Sequence, residues 1–160
     1  MYIVYDMGLT KRLDTHIINN MRCVLDTDVI VAGLRSTQGA SRELLRLLAA
    51  DQLVVLASVP MMLEYESVLK RPENVNASNL SIAEIDEFLD SMAGLIVPVS
   101  PFFLWRPLLR DPADEHVIEA AVNGGADALV TFNVRHFRVA APRFGIEVLR
   151  PGELLQRIRK

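Results

Sequence analysis

The sequence predicts an α/β domain on a mostly parallel five-stranded sheet, and three observations carry that reading. Short apolar runs of β type recur at residues 23–25, 53–57, 95–99, 128–132 and 146–149. Segments with apolar residues at helical spacing separate most of them, and such alternation favours parallel strands covered on both faces and joined by right-handed crossovers. The chain has 160 residues, 51% of them hydrophobic, enough for one domain with a sizeable core.

Residues 1–20 mix acids, bases and Asn19-Asn20 without sustained periodicity, whereas a strong strand pattern opens at Met21. The expected division is an N-terminal extension over 1–20, with Met21 as a candidate true start, and a single domain over 21–160. Residues 2–5 offer an alternative as an added edge strand. After the first strand, a helix is expected from Val29 to a break at Gly39, and a second one capped by Ser41 with Leu44, Leu45, Leu47 and Leu48 on one face. Pro60 starts a helix with Met61, Leu63, Tyr65, Val68 and Leu69 as a partial apolar face and Glu64 in its middle, ended by Arg71-Pro72. Residues 72–80 read as a loop. Ser81 and Glu84 then form a capping box before a helix carrying Ile82, Ile85, Phe88, Leu89 and Met92. Residues 98–112 are a proline-rich connection. A helix over 114–123 stops at Gly124-Gly125, and Pro151 starts the last helix.

The composition excludes several classes. A charged fraction of 23% gives no case for disorder, and a net charge of −3 with a pI near 5.6 leaves only local basic patches for nucleic acid. The one cysteine, Cys23, lies inside the first strand, so it reads as core in a reducing, cytoplasmic setting rather than as part of a disulfide framework. No run reaches the roughly 18 apolar residues of a membrane span, since the longest candidate, 53–63, is broken by Ser58 and Pro60. The N-terminus lacks the charged-then-apolar pattern of a secretory signal.

Polar residues gather at one edge of the expected sheet. Asp26 and Asp28 end the first strand, Ser58 the second, Thr131 and Asn133 the fourth, and Asp114 opens the helix leading to the fourth. In open α/β sheets that edge is where ligands bind. Two carboxylates about 4 Å apart repel by roughly 4 kcal/mol at an effective dielectric near 20, so the cluster calls for protonation or a cation. Oxygen-only ligands suit magnesium or manganese. Each residue also has a plainer reading: Asp114 as a helix N-cap, Asp28 as the start of a helix, Asp111 as a turn former, Glu64 as a solvated acid. His116 and His136 lack zinc-ligand spacing, with a proton-transfer or phosphate role open to His136.

Four pieces in order then resemble the PIN-domain ribonucleases, specifically the prokaryotic PIN toxins of toxin–antitoxin systems that include the VapC type. They are Val24-Leu25-Asp26-Thr27-Asp28-Val29-Ile30; Leu63-Glu64-Tyr65-Glu66-Ser67-Val68-Leu69 with Arg71-Pro72; Arg110-Asp111-Pro112-Ala113-Asp114-Glu115-His116; and Gly125-Ala126-Asp127-Ala128-Leu129-Val130-Thr131-Phe132-Asn133 with His136-Phe137. The resemblance implies a three-layer α/β/α sandwich and an acidic pocket for magnesium or manganese, with Asp26, Glu64 and Asp114 as the catalytic, metal-holding acids. Asn133 falls where many relatives place a fourth aspartate, and Asp28 where asparagine is commoner, so Asp28, with Asp111, is a candidate to take over the missing charge. Thr131 matches a hydroxyl position of the family and, with Arg110 and Arg135, is a candidate substrate contact; Arg35, Arg42, Arg46, Arg106 and Arg138 are further basic candidates for an RNA rim. The resemblance also implies RNA hydrolysis to a 5′-phosphate and a 3′-hydroxyl, a cognate antitoxin and a homodimer. Two alternatives stand beside it. One is a haloacid-dehalogenase-like phosphatase with Asp26 as nucleophile and Ser58 and Lys70 as partners. The other is a degenerate, non-catalytic PIN module, motivated by Asn133.

Overall fold

Strands with no polar face are satisfied only where both faces are covered, and the most apolar runs of this chain take the middle of the sheet. In a computed structural model, which describes residues 21–160, strand β1 (Arg22–Leu25) is central. It is flanked by β2 (Val54–Ala57) and β4 (Ala128–Val130), with β3 (Val97–Pro98) and β5 (Glu147–Leu149) at the edges. All four pairings are parallel. Cys23, Val24, Leu25, Ala128, Leu129 and Val130 are fully buried, whereas Val97 and Glu147 on the edges are exposed. The expected N-terminal extension and the edge strand over 2–5 lie outside the described residues.

The order β3-β2-β1-β4-β5 reverses direction between β1 and β4. Connections leave the sheet to opposite sides there, which opens a crevice at the carboxyl ends of those two strands. Asp26 and Thr131 are the first residues beyond them. Asp26 N donates to Val130 O at 2.9 Å, which ties the two strand ends together.

Eight α-helices cover the sheet among the described residues: α1 (Thr27–Arg35), α2 (Ala40–Ala49), α3 (Val59–Leu69), α4 (Pro72–Ser78), α5 (Ile82–Leu95), α6 (Glu115–Asn123), α7 (Val134–Phe137) and α8 (Pro151–Ile158). Helix α6 packs on β1, β2 and β4, while α1 packs against α2, α3 and α4. Gly33 permits the α1–α2 approach, because a Cβ there would lie 2.6 Å from Leu45 Cδ1. The arrangement is the expected three-layer sandwich. Cys23 is core, its thiol pushed up to about 12 by burial and by the charge of Asp127. Among the described residues no helix is long and apolar enough to cross a membrane.

Several boundaries differ from the sequence reading, each for a local reason. Residues 72–80 form no loop: Pro72 opens α4 at its first turn, where a missing N–H costs nothing, and Asn79 closes it with φ 60°. Ser41 does not cap α2; Gly39, with φ 112°, stands at the cap, and Ser41 lies buried within the helix. Helix α5 continues to Leu95, so β3 shrinks from the expected 95–99 to Val97–Pro98. Leu63 is 60% exposed and leaves the apolar face of α3 to Met61, Tyr65 and Leu69. The capping box at Ser81 and Glu84 and the stop at Gly124-Gly125 form as read.

Candidate functional site

Asp26 leaves β1 in extended conformation and caps α1, its carboxylate accepting from Thr27 N at 2.8 Å. Its other oxygen accepts from Thr131 Oγ1 at 2.8 Å. Asp28, in the first turn of α1, accepts from Phe132 N at 3.0 Å and faces the same Thr131 hydroxyl at 3.3 Å. One hydroxyl proton therefore serves two carboxylates, with the shorter contact going to Asp26. Thr131 Oγ1 in turn accepts from Asn133 N at 2.9 Å, so the β4 end is folded around the aspartates.

Helix α3 brings the third acid. Tyr65 is wholly buried and donates its hydroxyl to Leu25 O, which fixes α3 against the end of β1 and turns the neighbouring Glu64 toward Asp26. Glu64 Oε2 accepts from Thr27 Oγ1 at 2.8 Å and lies 2.7 Å from His116 Nε2. Asp114 stands at the N-cap of α6, yet its side chain makes no capping bond; Oδ2 instead meets His136 Nδ1 at 2.5 Å. The plainer reading of Asp114 as a cap thus accounts for its position but not for its carboxylate.

Asp26, Asp28, Glu64, Asp114 and Asn133 line one cavity of about 540 Å³, together with Arg35, Arg71 and Asn74. Burial and then the charge of Asp28 push the Asp26 carboxyl up to about 6, against the hydrogen bonds from Thr131 and Thr27 that lower it. Burial also raises Asp28. Glu64 is lowered, first by the His116 hydrogen bond, and His116 is raised by the same contact. Asp28 Oδ1 is buried without a hydrogen-bond partner.

Not every expected residue arrives. Asp111 caps the short 3-10 turn Pro112–Asp114 by accepting from Ala113 N, and it lines a neighbouring cavity with Arg110 and Arg135. Ser58 is buried with no hydrogen-bond partner and is not part of the acidic cavity's lining. Lys70 bridges Glu66 and Asp86, both at 2.6 Å. The two partners drafted for a phosphatase are thus absent from the pocket. Of the basic candidates, Arg35 reaches the pocket rim, while Arg106 is held by Glu119. Thr131 is fully buried and orients the aspartates rather than facing a substrate. Missed from sequence were Thr27 and His116 on Glu64, His136 on Asp114, and Arg71 on the rim. The histidines lie 52 and 22 residues from their acids, a separation that only topology closes.

Among the described residues no group of three or more His, Cys, Asp or Glu side chains is drawn together tightly enough to hold a metal ion as they stand. Glu64 and Asp114 are each held by a histidine instead. The donor set nevertheless fits a hard divalent cation: carboxylate and amide oxygens converge on one cavity, one buried oxygen is orphaned, and burial together with the charge of Asp28 makes Asp26 resist ionisation.

A PIN domain family model matches residues 22–135. The fold is similar to VapBC2 from Rickettsia felis, solved bound to a DNA fragment from its promoter, at 17% identity over 81% of this chain and 98% of that one, with a TM-score of 0.58. It is also similar to FitAB bound to an IR36 DNA fragment, at 17% identity over 81% of this chain and 94% of that one, with a TM-score of 0.53. No curated protein matches in sequence.

Proposed function

The chain belongs to the PIN domain family, and from that premise we propose that it is a magnesium- or manganese-dependent endoribonuclease, the toxin of a toxin–antitoxin pair. The observation that supports this reading most is the meeting of Asp26, Asp28, Glu64 and Asp114 in one cavity with too little positive charge. Asp26, Glu64 and Asp114 would hold the ion, with Asp28 and Asn133 as further oxygen donors. When bound, such an ion acidifies water and offsets charge developing on a phosphoryl group.

The chain's own residues do the rest. Thr131 and Thr27 fix the carboxylates of Asp26 and Glu64, so the donors are aimed before substrate arrives. A carboxylate of the cluster that the ion leaves free is suited to accept a proton from the attacking water. Arg35 and Arg71 on the rim would meet the RNA backbone, which the acids alone repel. Products with a 5′-phosphate and a 3′-hydroxyl follow from attack by water at phosphorus with departure of the 3′ oxygen.

The two similar structures are of VapBC2 and FitAB assemblies, and we extend that likeness to an antitoxin partner for this chain. A homodimer and a cytoplasmic location belong to the same proposal. The experiment is RNA cleavage in magnesium by wild type and Asp26→Asn, with chelation and manganese rescue as controls. Loss of cleavage in the variant supports the reading, and equal cleavage overturns it. Asn133 favours one second reading, a non-catalytic PIN module; calorimetry that detects no divalent binding at millimolar metal would select it.

A further inference from the structure

Beside the acidic pocket lies a second cavity of about 550 Å³ with the opposite character. Arg110, Arg135 and Arg138 line it, and none of the three guanidinium groups has a hydrogen bond or ion pair among the described residues. By contrast, Arg46, Arg106, Arg157 and Arg159 each face a carboxylate. The cavity's one acid, Asp111, is occupied with Ala113 N. Three unpaired cations around one cavity repel each other, and an anion relieves that cost. The floor is apolar, with Leu109 and Ala140 buried beneath it. His136, which lines this cavity, contacts Asp114, which lines the acidic one, so the two are neighbours.

We propose that this cavity is a nucleotide subsite for single-stranded RNA: Arg110, Arg135 and Arg138 hold a phosphate next to the scissile one, and the apolar floor receives the base. The inference rests on the nuclease reading for its choice of RNA, but its geometry is independent of the acids. Charge and apolar surface together distinguish it from a plain phosphate site. A cavity of this volume falls within the range of small-ligand sites.

The test is fluorescence anisotropy of a short 5′-fluorescein oligouridylate with the full chain in EDTA, where cleavage plays no part. Arg110→Ala, Arg135→Ala and Arg138→Ala should each weaken binding about tenfold, the effect of losing one charge-assisted hydrogen bond. The slope of log affinity against log salt should flatten by about 0.7 per arginine removed, and so by about 2 in the triple variant. Arg157→Ala, an exposed arginine paired with Glu147, should match wild type. No binding by wild type, or a triple variant indistinguishable from Arg157→Ala, overturns the proposal. So does tripolyphosphate or an acidic peptide displacing the oligonucleotide at equal concentration, since either would show the base to be irrelevant. The two readings fail separately. Arginine-dependent binding with no cleavage by wild type in magnesium or manganese sinks the nuclease and leaves the subsite; Asp26-dependent cleavage with arginine-independent binding does the reverse.

Discussion

Asp26 and Glu115 are both buried acids within reach of the same helix end, yet they stand in opposite situations. Glu115 Oε1 accepts from Leu108 N at 2.7 Å and Leu109 N at 2.9 Å, and so stitches the proline-rich connection to α6. One turn on, both oxygens of buried Glu119 are gripped by Arg106, at 2.6 and 2.9 Å. Asp26 accepts from Thr27 N and shares the Thr131 hydroxyl with Asp28, but it faces further carboxylates and is pushed up to about 6. An orphaned oxygen does not separate the two groups, since Glu115 Oε2 lacks a partner as much as Asp28 Oδ1 does. Location does. Asp28 opens onto a cavity with four other acids, whereas Glu115 lines neither cavity beside α6. The number of donors does not separate them either, since each accepts two; what sets Asp26 apart is the company of other carboxylates around one cavity.

Asp26→Asn breaks the comparison hardest. Cleavage should fall by a factor on the order of 100 or more, as when a group stabilising a transition-state charge is removed. The same variant should gain stability at neutral pH. The folded pKa of Asp26 lies above its ordinary value of 3.8, so the native state holds the extra proton and wild type loses stability as pH rises from about 4 through about 6. The loss is at most about 3 kcal/mol by the size of that shift. Denaturant melts in EDTA at the two ends of that window should show it in wild type and not in Asp26→Asn.

Glu115→Ala probes the other side. It strips the partner from two backbone amides, one of them in buried Leu109, and should cost about 2 kcal/mol, or a melting temperature lower by about 4–8 °C. Glu115→Gln keeps an acceptor oxygen and should recover most of it. Manganese affinity should not change in either.

Thr131→Val removes the hydroxyl that lowers Asp26 and Asp28. Activity should drop about tenfold, the worth of one hydrogen bond to a charged group. The acid limb of the pH–rate profile should move up. Asn133→Asp is the gentlest change. It adds a sixth carboxylate to the lining and should tighten manganese binding several-fold by calorimetry, within the range of one added charge at a half-exposed site.

How far the sequence foretold this depended on whether the determining contacts are local. Burial follows from apolar runs, so the strand order's centre, the capping box at Ser81 and the Gly124-Gly125 stop were legible. The four acids were legible through position at strand ends and through family likeness. Helix α4 was not, because Arg71-Pro72 reads equally as the end of one helix or the first turn of the next. Ser41 misled for a similar reason: a serine two residues past a glycine looks like a cap, but the positive φ at Gly39 had already set the helix start. His116, His136 and Thr27 were invisible as partners. Thr27 meets Glu64 where α1 packs on α3, His116 meets Glu64 where α6 packs on α3, and His136 meets Asp114 between α7 and the start of α6; no spacing in the chain encodes these meetings.

The central claim, that these acids form a cation site, is tested most directly by anomalous scattering from a crystal grown with manganese. The account predicts a peak in the acidic cavity in contact with Asp26, with Glu64 and Asp114 bound directly or through water. A fully soaked crystal with no peak there, and the histidine contacts to Glu64 and Asp114 intact, would contradict it.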